Sequence, residues 1–108
     1  MIRLTVLYNL PEGTDEAEFL RWRLGEHQQS NASMEGVVRT NFARVDEQWT
    51  PDNWQAAPPH RFMTISEWAD RTSFEKSFYD PKTQAKLLED IKKIADPVFL
   101  ISEILITT

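Results

Sequence analysis

The chain has 108 residues, 12 basic against 17 acidic side chains for a net charge of −5, and no cysteine. This length predicts a single domain over residues 1–108 with one real core, and the missing thiols exclude disulfides, thiolate metal sites and cysteine nucleophiles. The acidic balance argues against nucleic acid and anionic membranes, which select clustered basic surfaces, and no apolar run approaches the ~20 residues of a membrane helix. The sequence runs from Met1-Ile2-Arg3-Leu4 straight into an alternating pattern with no basic leader, so a cytoplasmic protein is expected and the Asn31-Ala32-Ser33 sequon reads as chance. Four tryptophans stand beside six phenylalanines and two tyrosines, side chains that serve cores, interfaces and aromatic pockets alike.

Residues 2–8 alternate, with Ile2, Leu4, Val6 and Tyr8 on one face, and predict a strand that Pro11-Glu12-Gly13 ends. Thr14 or Asp15 offers a helix N-cap, with Asp15, Glu16 and Glu18 placed where the helix dipole favours acids. The helix is expected to reach about Gln29, with Ala17, Leu20, Leu24 and His27 as its inward stripe and Phe19 and Trp22 flanking it. After Met34-Glu35-Gly36 a second strand is expected from Val37 to Gln48. Residues 49–60 carry three prolines and two tryptophans without periodicity, which makes them a long loop of the kind that usually has a function.

Arg61 to Trp68 alternates again as a third strand. Asp70, Thr72 or Ser73 can cap a short helix through Phe74 and Phe78, and Asp80-Pro81 starts another, with proline tolerated at its first position. The predicted buried stripe of that helix is Ala85, Leu88, Ile91 and Ala95. Asp96-Pro97 stops it, and Val98–Thr107 is a last strand, apolar on both faces apart from Ser102 and Glu103. The order is βαββαβ, an α+β, ferredoxin-like antiparallel sheet with helices on one face. Val98, Leu100, Ile104 and Ile106 then oppose Phe99, Ile101 and Leu105, and the uncovered face calls for a homodimer packed sheet against sheet.

Three features carry a family resemblance. Glu18-Phe19-Leu20-Arg21-Trp22-Arg23 leads to Glu26-His27 at the end of the first helix. Ile65-Ser66-Glu67-Trp68-Ala69 precedes a helix containing Ser73-Phe74-Glu75, and Asp96-Pro97-Val98 enters the last strand. With these, nearly the whole chain resembles the dimeric α+β barrel proteins of the EthD-like group, and it is most similar to the RedY-like HapK family of prodigiosin-type pigment pathways. One departure is Gln29, which stands where the group often has proline two residues after the histidine. The resemblance implies a homodimer that binds a small, apolar, aromatic or pyrrolic ligand in a cleft between sheet and helices. Its relatives include cofactor-free monooxygenases, lactone isomerases, cyclases and haem enzymes, among which the fold itself does not choose.

His27 is the leading candidate for acid/base catalysis, since imidazole titrates near neutrality and the inward stripe would aim it at the cleft; the alternative is a ring that caps the helix end. Glu67 is the second catalytic candidate, a carboxylate on an apolar strand, against a plain ion pair with Arg3, Arg39 or Arg61. Glu103, in mid-strand, reads rather as a partner in a dimer-interface ion pair. Tyr8 and Asn41 are candidate ligand hydrogen-bonding groups, or core and cross-strand residues. Trp49 and Trp54 in the long loop are candidate ligand or dimer contacts, whereas Trp22 and Trp68 read as packing. His60 could line the entrance, against the simpler reading of a surface loop residue. Three ungrouped glycines give no phosphate loop, and two isolated histidines give no metal constellation, so no metal and no cofactor are expected. Two functions fit these residues: a cofactor-independent enzyme of secondary metabolism, or a non-enzymatic carrier of a pathway intermediate. An RNA-recognition domain shares the element order but fails on charge.

Overall fold

A computed structural model describes residues 1–108. In chain order it contains β1 (Ile2–Asn9), α1 (Glu16–Trp22), a π-helical turn (Arg23–His27), α2 (Gln28–Ala32), β2 (Val37–Arg44) and β3 (Phe62–Trp68). There follow α3 (Arg71–Phe78), α4 (Pro81–Asp90), a 3₁₀ turn (Ile91–Lys93) and β4 (Ala95–Glu103). The strands form one antiparallel sheet in the order β2-β3-β1-β4, the ferredoxin-like arrangement the sequence predicts. In β1, strict alternation turns Ile2, Leu4, Val6 and Tyr8 toward the helices, where all four are buried.

Local chemistry sets the helix starts. Asp15 accepts hydrogen bonds from the backbone N–H groups of Ala17 and Glu18 at 2.9 and 3.2 Å, and Asp70 and Asp80 cap α3 and α4 in the same way. Pro81 occupies the first position of α4. Trp68 is fully buried, and its indole N–H donates to the Glu35 carbonyl at 3.0 Å. The turn that brings this carbonyl in places Gly36 at φ 73°, a left-handed backbone conformation that L side chains rarely adopt. Phe74 meets Trp68 edge-on at 5.1 Å and stacks on Phe78 at 5.2 Å.

Several expectations need correction. The second strand stops at Arg44 rather than Gln48, and the loop beyond it has its own small bridge between Gln48 and Ala56. The last strand starts earlier and ends sooner, at Ala95 and Glu103. Glu103 lies opposite Ile2, the first residue of β1, and one more backbone bond follows, from Ile104 N–H to the Met1 carbonyl at 2.9 Å; Leu105 and Ile106 project beyond the sheet. Both predicted helix stripes are displaced. Ala17 and Leu24 are exposed, and the inward side of the first helical stretch carries Phe19, Trp22, Arg23 and His27. On α4 and the turn after it, Ala85 and Leu88 are exposed, while Leu87, Ile91 and Ile94 turn inward. Apolar side chains are the wrong guide here because part of the inward surface is polar.

The face of the sheet away from the helices carries Thr5, Leu7, Met63, Ile65, Val98 and Leu100, together with the ion cluster of Arg3, Glu67 and Arg39. Phe74 is fully buried at the other side of the core. Phe74→Ala should cost about 3–5 kcal/mol in a denaturant-unfolding measurement, the range for deleting a fully packed aromatic ring; a loss under ~1 kcal/mol would contradict this packing.

Candidate functional site

The helix-facing side of β3 reads Phe62, Thr64, Ser66, Trp68: large, small, small, large. The two aromatic ends pack against the helices, and the small middle leaves space above it. A cavity of about 310 Å3 results, at the lower end of the ~300–1,000 Å3 of small-ligand sites. Leu4, Val6 and Tyr8 of β1, Thr64 and Ser66 of β3 and Phe99 of β4 form its floor. Phe19, Trp22, Arg23 and His27 line one wall, and Lys82, Lys86, Leu87, Asp90 and Ile94 line the other.

His27 ends the π-helical turn, and its ring packs on Trp22 with centroids 4.3 Å apart. Its Nδ1 lies 3.4 Å from Asp90 Oδ2, close but poorly aligned, so this buried nitrogen has no hydrogen-bond partner. Leaving such an atom unpaired costs about 1–3 kcal/mol. Burial pulls the His27 pKa down to about 4; Asp90 acts to raise it, while Arg23, Lys86 and Lys93 push it lower. The ring is therefore neutral at pH 7, with Asp90 placed to orient it.

Arg23 lies one turn before His27 and is 2 % exposed. Its guanidinium donates to Gln28 Oε1 at 2.6 Å and to Thr64 Oγ1 at 3.0 Å, and it lies 4.2 Å over the Phe42 ring. Desolvation lowers its pKa, and the group stays a cation, since a guanidinium does not lose its proton in proteins. Burial raises the Tyr8 phenol, partly offset by the neighbouring Arg23 charge, so the site holds a neutral phenol beside a cation. Together these groups can polarise an oxygen on a bound molecule and exchange a proton with it.

The sequence-predicted residues divide by face. His27 and Tyr8 line the cavity. Glu67 does not: it points to the opposite side of the sheet, where its Oε2 accepts from Arg3 at 2.8 Å and Arg39 at 2.9 Å. Burial acts to raise its pKa, but these two arginines outweigh it and hold the carboxyl below its usual range. Glu67 is thus an ionised structural partner, and the catalytic reading is corrected. Asn41, paired with Ile65, is exposed on that same far side, and Glu103 is exposed at the end of β4. Trp49 and Trp54 stand out from the loop, 64 % and 69 % exposed, and line no part of the cavity. His60 is half-buried ahead of β3, also outside the lining. Arg23, Asp90 and Thr64 are site residues that the sequence reading misses. The spacing Phe19-Arg23-His27, each four residues apart, is the available signal for Arg23.

The sheet order and the helices packed on one side of it define a ferredoxin-like α+β protein with a cavity between sheet and helices. A model of the family described as REDY-like protein HapK matches residues 2–105, and the chain belongs to that family. Among solved structures it is similar to an EthD family protein from Bacillus halodurans, with 18% identity, a TM-score of 0.76, and 97% of this chain and 99% of that one covered. It is also similar to HapK from Hahella chejuensis, at 19% identity, TM-score 0.71 and 100% and 96% coverage. A third similar structure is a point mutant of SnoaB, a cofactor-independent oxygenase from Streptomyces nogalater, at 14% identity, TM-score 0.66 and 98% and 94% coverage. None of the curated proteins matches by sequence. No helix is long and apolar enough to cross a membrane.

The His27 environment has a measurable signature. Because the folded pKa of about 4 lies below the ordinary 6.5, the folded state binds fewer protons than the unfolded chain between those values. Stability should therefore fall as pH drops from about 6.5 toward 4, and this group's contribution should level off below that. The His27 Cε1–H resonance should titrate near pH 4, and Lys86→Met, which removes a repelling charge, should move the midpoint upward. A midpoint near 6.5 in both proteins would contradict the buried, cation-flanked geometry.

Proposed function

We propose that this protein is a tailoring protein of secondary metabolism that acts without a cofactor on a small, apolar, aromatic or pyrrolic intermediate held in the 310 Å3 cavity, and that the pathway is of the prodigiosin type. The observation that carries this reading is the grouping of His27, Asp90, Arg23 and Tyr8 in a cavity whose floor and walls also carry Leu4, Val6, Phe19, Trp22, Leu87 and Phe99. Asp90 orients the ring, the ligand satisfies the unpaired Nδ1 or pulls it into line with Asp90, and Arg23 and Tyr8 stabilise charge developing on a ligand oxygen. The family membership supports a role in secondary metabolism, and the SnoaB likeness supports chemistry without a cofactor on this fold.

One observation favours a second reading, a carrier. A ring with a pKa of about 4 is a weak base at neutral pH, and good acid/base groups lie near the working pH. His27→Ala separates the two. An enzyme should lose turnover by roughly 10²–10⁴ while ligand affinity changes little. A carrier should lose pathway output only in step with affinity. Deletion in the producing host, followed by identification of the metabolite that accumulates, gives the substrate: a discrete precursor supports the enzyme, and reduced flux without one supports the carrier.

The functional unit is proposed to be a homodimer joined through the open sheet face, where Leu7, Met63, Ile65 and Val98 are only half-buried and Leu100 is exposed. Leu100 is 51 % exposed, and burying such side chains is worth about 1.5–3 kcal/mol each. Light scattering should show a dimer at micromolar concentration, and Leu100→Glu should yield a folded monomer. A wild-type monomer at that concentration would sink the dimer.

A further inference from the structure

Arg23 is a buried cation without an anion. It takes part in none of the chain's ion pairs. Its partners, the Gln28 amide, the Thr64 hydroxyl and the Phe42 ring, are all neutral. Two more cations, Lys82 and Lys86, line the same cavity from α4, and Lys86 reaches across to Ser30 Oγ at 2.9 Å. Asp90 is the one carboxylate in the lining; it stands beside the neutral His27 ring and pairs with Lys93 at 3.6 Å. Three cations thus face one acid, inside a chain whose net charge is −5. The imbalance runs against the composition of the chain. A charge removed from water is costly unless an opposite charge meets it.

Resting on the cavity-ligand reading above, we propose that the ligand carries a carboxylate on its flat apolar body and that Arg23 binds this group. The guanidinium fork has N–H donors beyond those given to Gln28 and Thr64, and its planar geometry matches a carboxylate. The body of the ligand then lies among Phe19, Trp22, Leu87 and Phe99. Binding also changes His27. The groups acting on it are Asp90, which raises its proton affinity, and Arg23, Lys86 and Lys93, which lower it. A carboxylate against Arg23 cancels part of the lowering. With burial the same, the imidazole therefore holds a proton more readily beside a carboxylate ligand than beside a neutral one of the same shape.

The test uses the full chain and two probes of one shape, 2-naphthoate and 2-naphthamide, titrated calorimetrically. Naphthoate should bind on the order of tenfold or more tightly than the amide, as a charge-assisted pair predicts. Arg23→Gln should erase that preference and Arg23→Lys should keep part of it. In the wild type the His27 Cε1–H midpoint should lie higher with naphthoate bound than with the amide bound, since the two bury the ring alike and differ in charge. If the amide binds as well as the carboxylate, the anionic ligand is excluded while the cavity-ligand reading stands. If neither probe binds, both readings fall together. If folded Arg23→Gln keeps the full preference, Arg23 is not the carboxylate site. The wild-type comparison decides the ligand's charge even where Arg23→Gln fails to fold.

Discussion

A buried guanidinium constrains the middle of this molecule. Arg23 sits where the first helical stretch crosses the sheet, and its bond to Thr64 ties that stretch to the centre of β3. Its bond to Gln28 reaches across the π-helical turn into α2, and its face rests on Phe42 of β2. One side chain therefore joins two helical segments to two strands. A π turn carries an extra residue and is often found at functional sites. Here it spans Arg23 to His27, so the residue that anchors the helix and the residue that lines the site belong to one local irregularity.

The cavity follows from how the aromatic side chains are divided. At one end Phe62 is met by Tyr8 at 5.8 Å, Phe19 at 5.5 Å and Phe42 at 5.4 Å. At the other end Trp68, Phe74 and Phe78 form a second cluster. These two groups hold the helices away from the sheet like end supports, and Thr64 and Ser66 between them are too small to fill the gap. Filling that gap with larger apolar groups would bury Arg23 and His27 without room for a ligand. The tight aromatic packing resides at the ends, then, and the middle is left open.

The topology is legible in the sequence because its signals are local. Alternation in β1, the aspartate caps at Asp15, Asp70 and Asp80, and the Asp80-Pro81 start each follow from near neighbours. His27 and Tyr8 are legible as polar groups on inward faces. The helix stripe misleads because the inward face is partly polar. Following apolar residues leads to Leu24, which is exposed, and away from Arg23, which is buried. Hydrophobic periodicity finds the face that meets a core, and this face meets a cavity lined partly by charge. Glu67 and Asn41 are misplaced for another reason. Alternation shows which residues share a strand face, but which face the helices cover depends on long-range packing, and Glu67 sits one residue from the cavity-lining Ser66.

Glu67 and Arg23 show how to tell the two kinds of buried charge apart. Both are almost wholly removed from water, at 3 % and 2 % exposure, on opposite faces of the same sheet. Glu67 is met by two arginines at hydrogen-bonding distance, which keep it ionised and complete its coordination. Nothing further is needed to explain it, and its role is to fix the register of β1, β3 and β2 on the open face. Arg23 is met by neutral groups alone, in the one region where the fold leaves space. Burial is equal in the two cases, so burial does not mark function. The difference lies in compensation: Glu67 is fully paired within the chain, and Arg23 is left without an opposite charge beside a cavity, which is the ground on which a ligand's carboxylate is proposed for it.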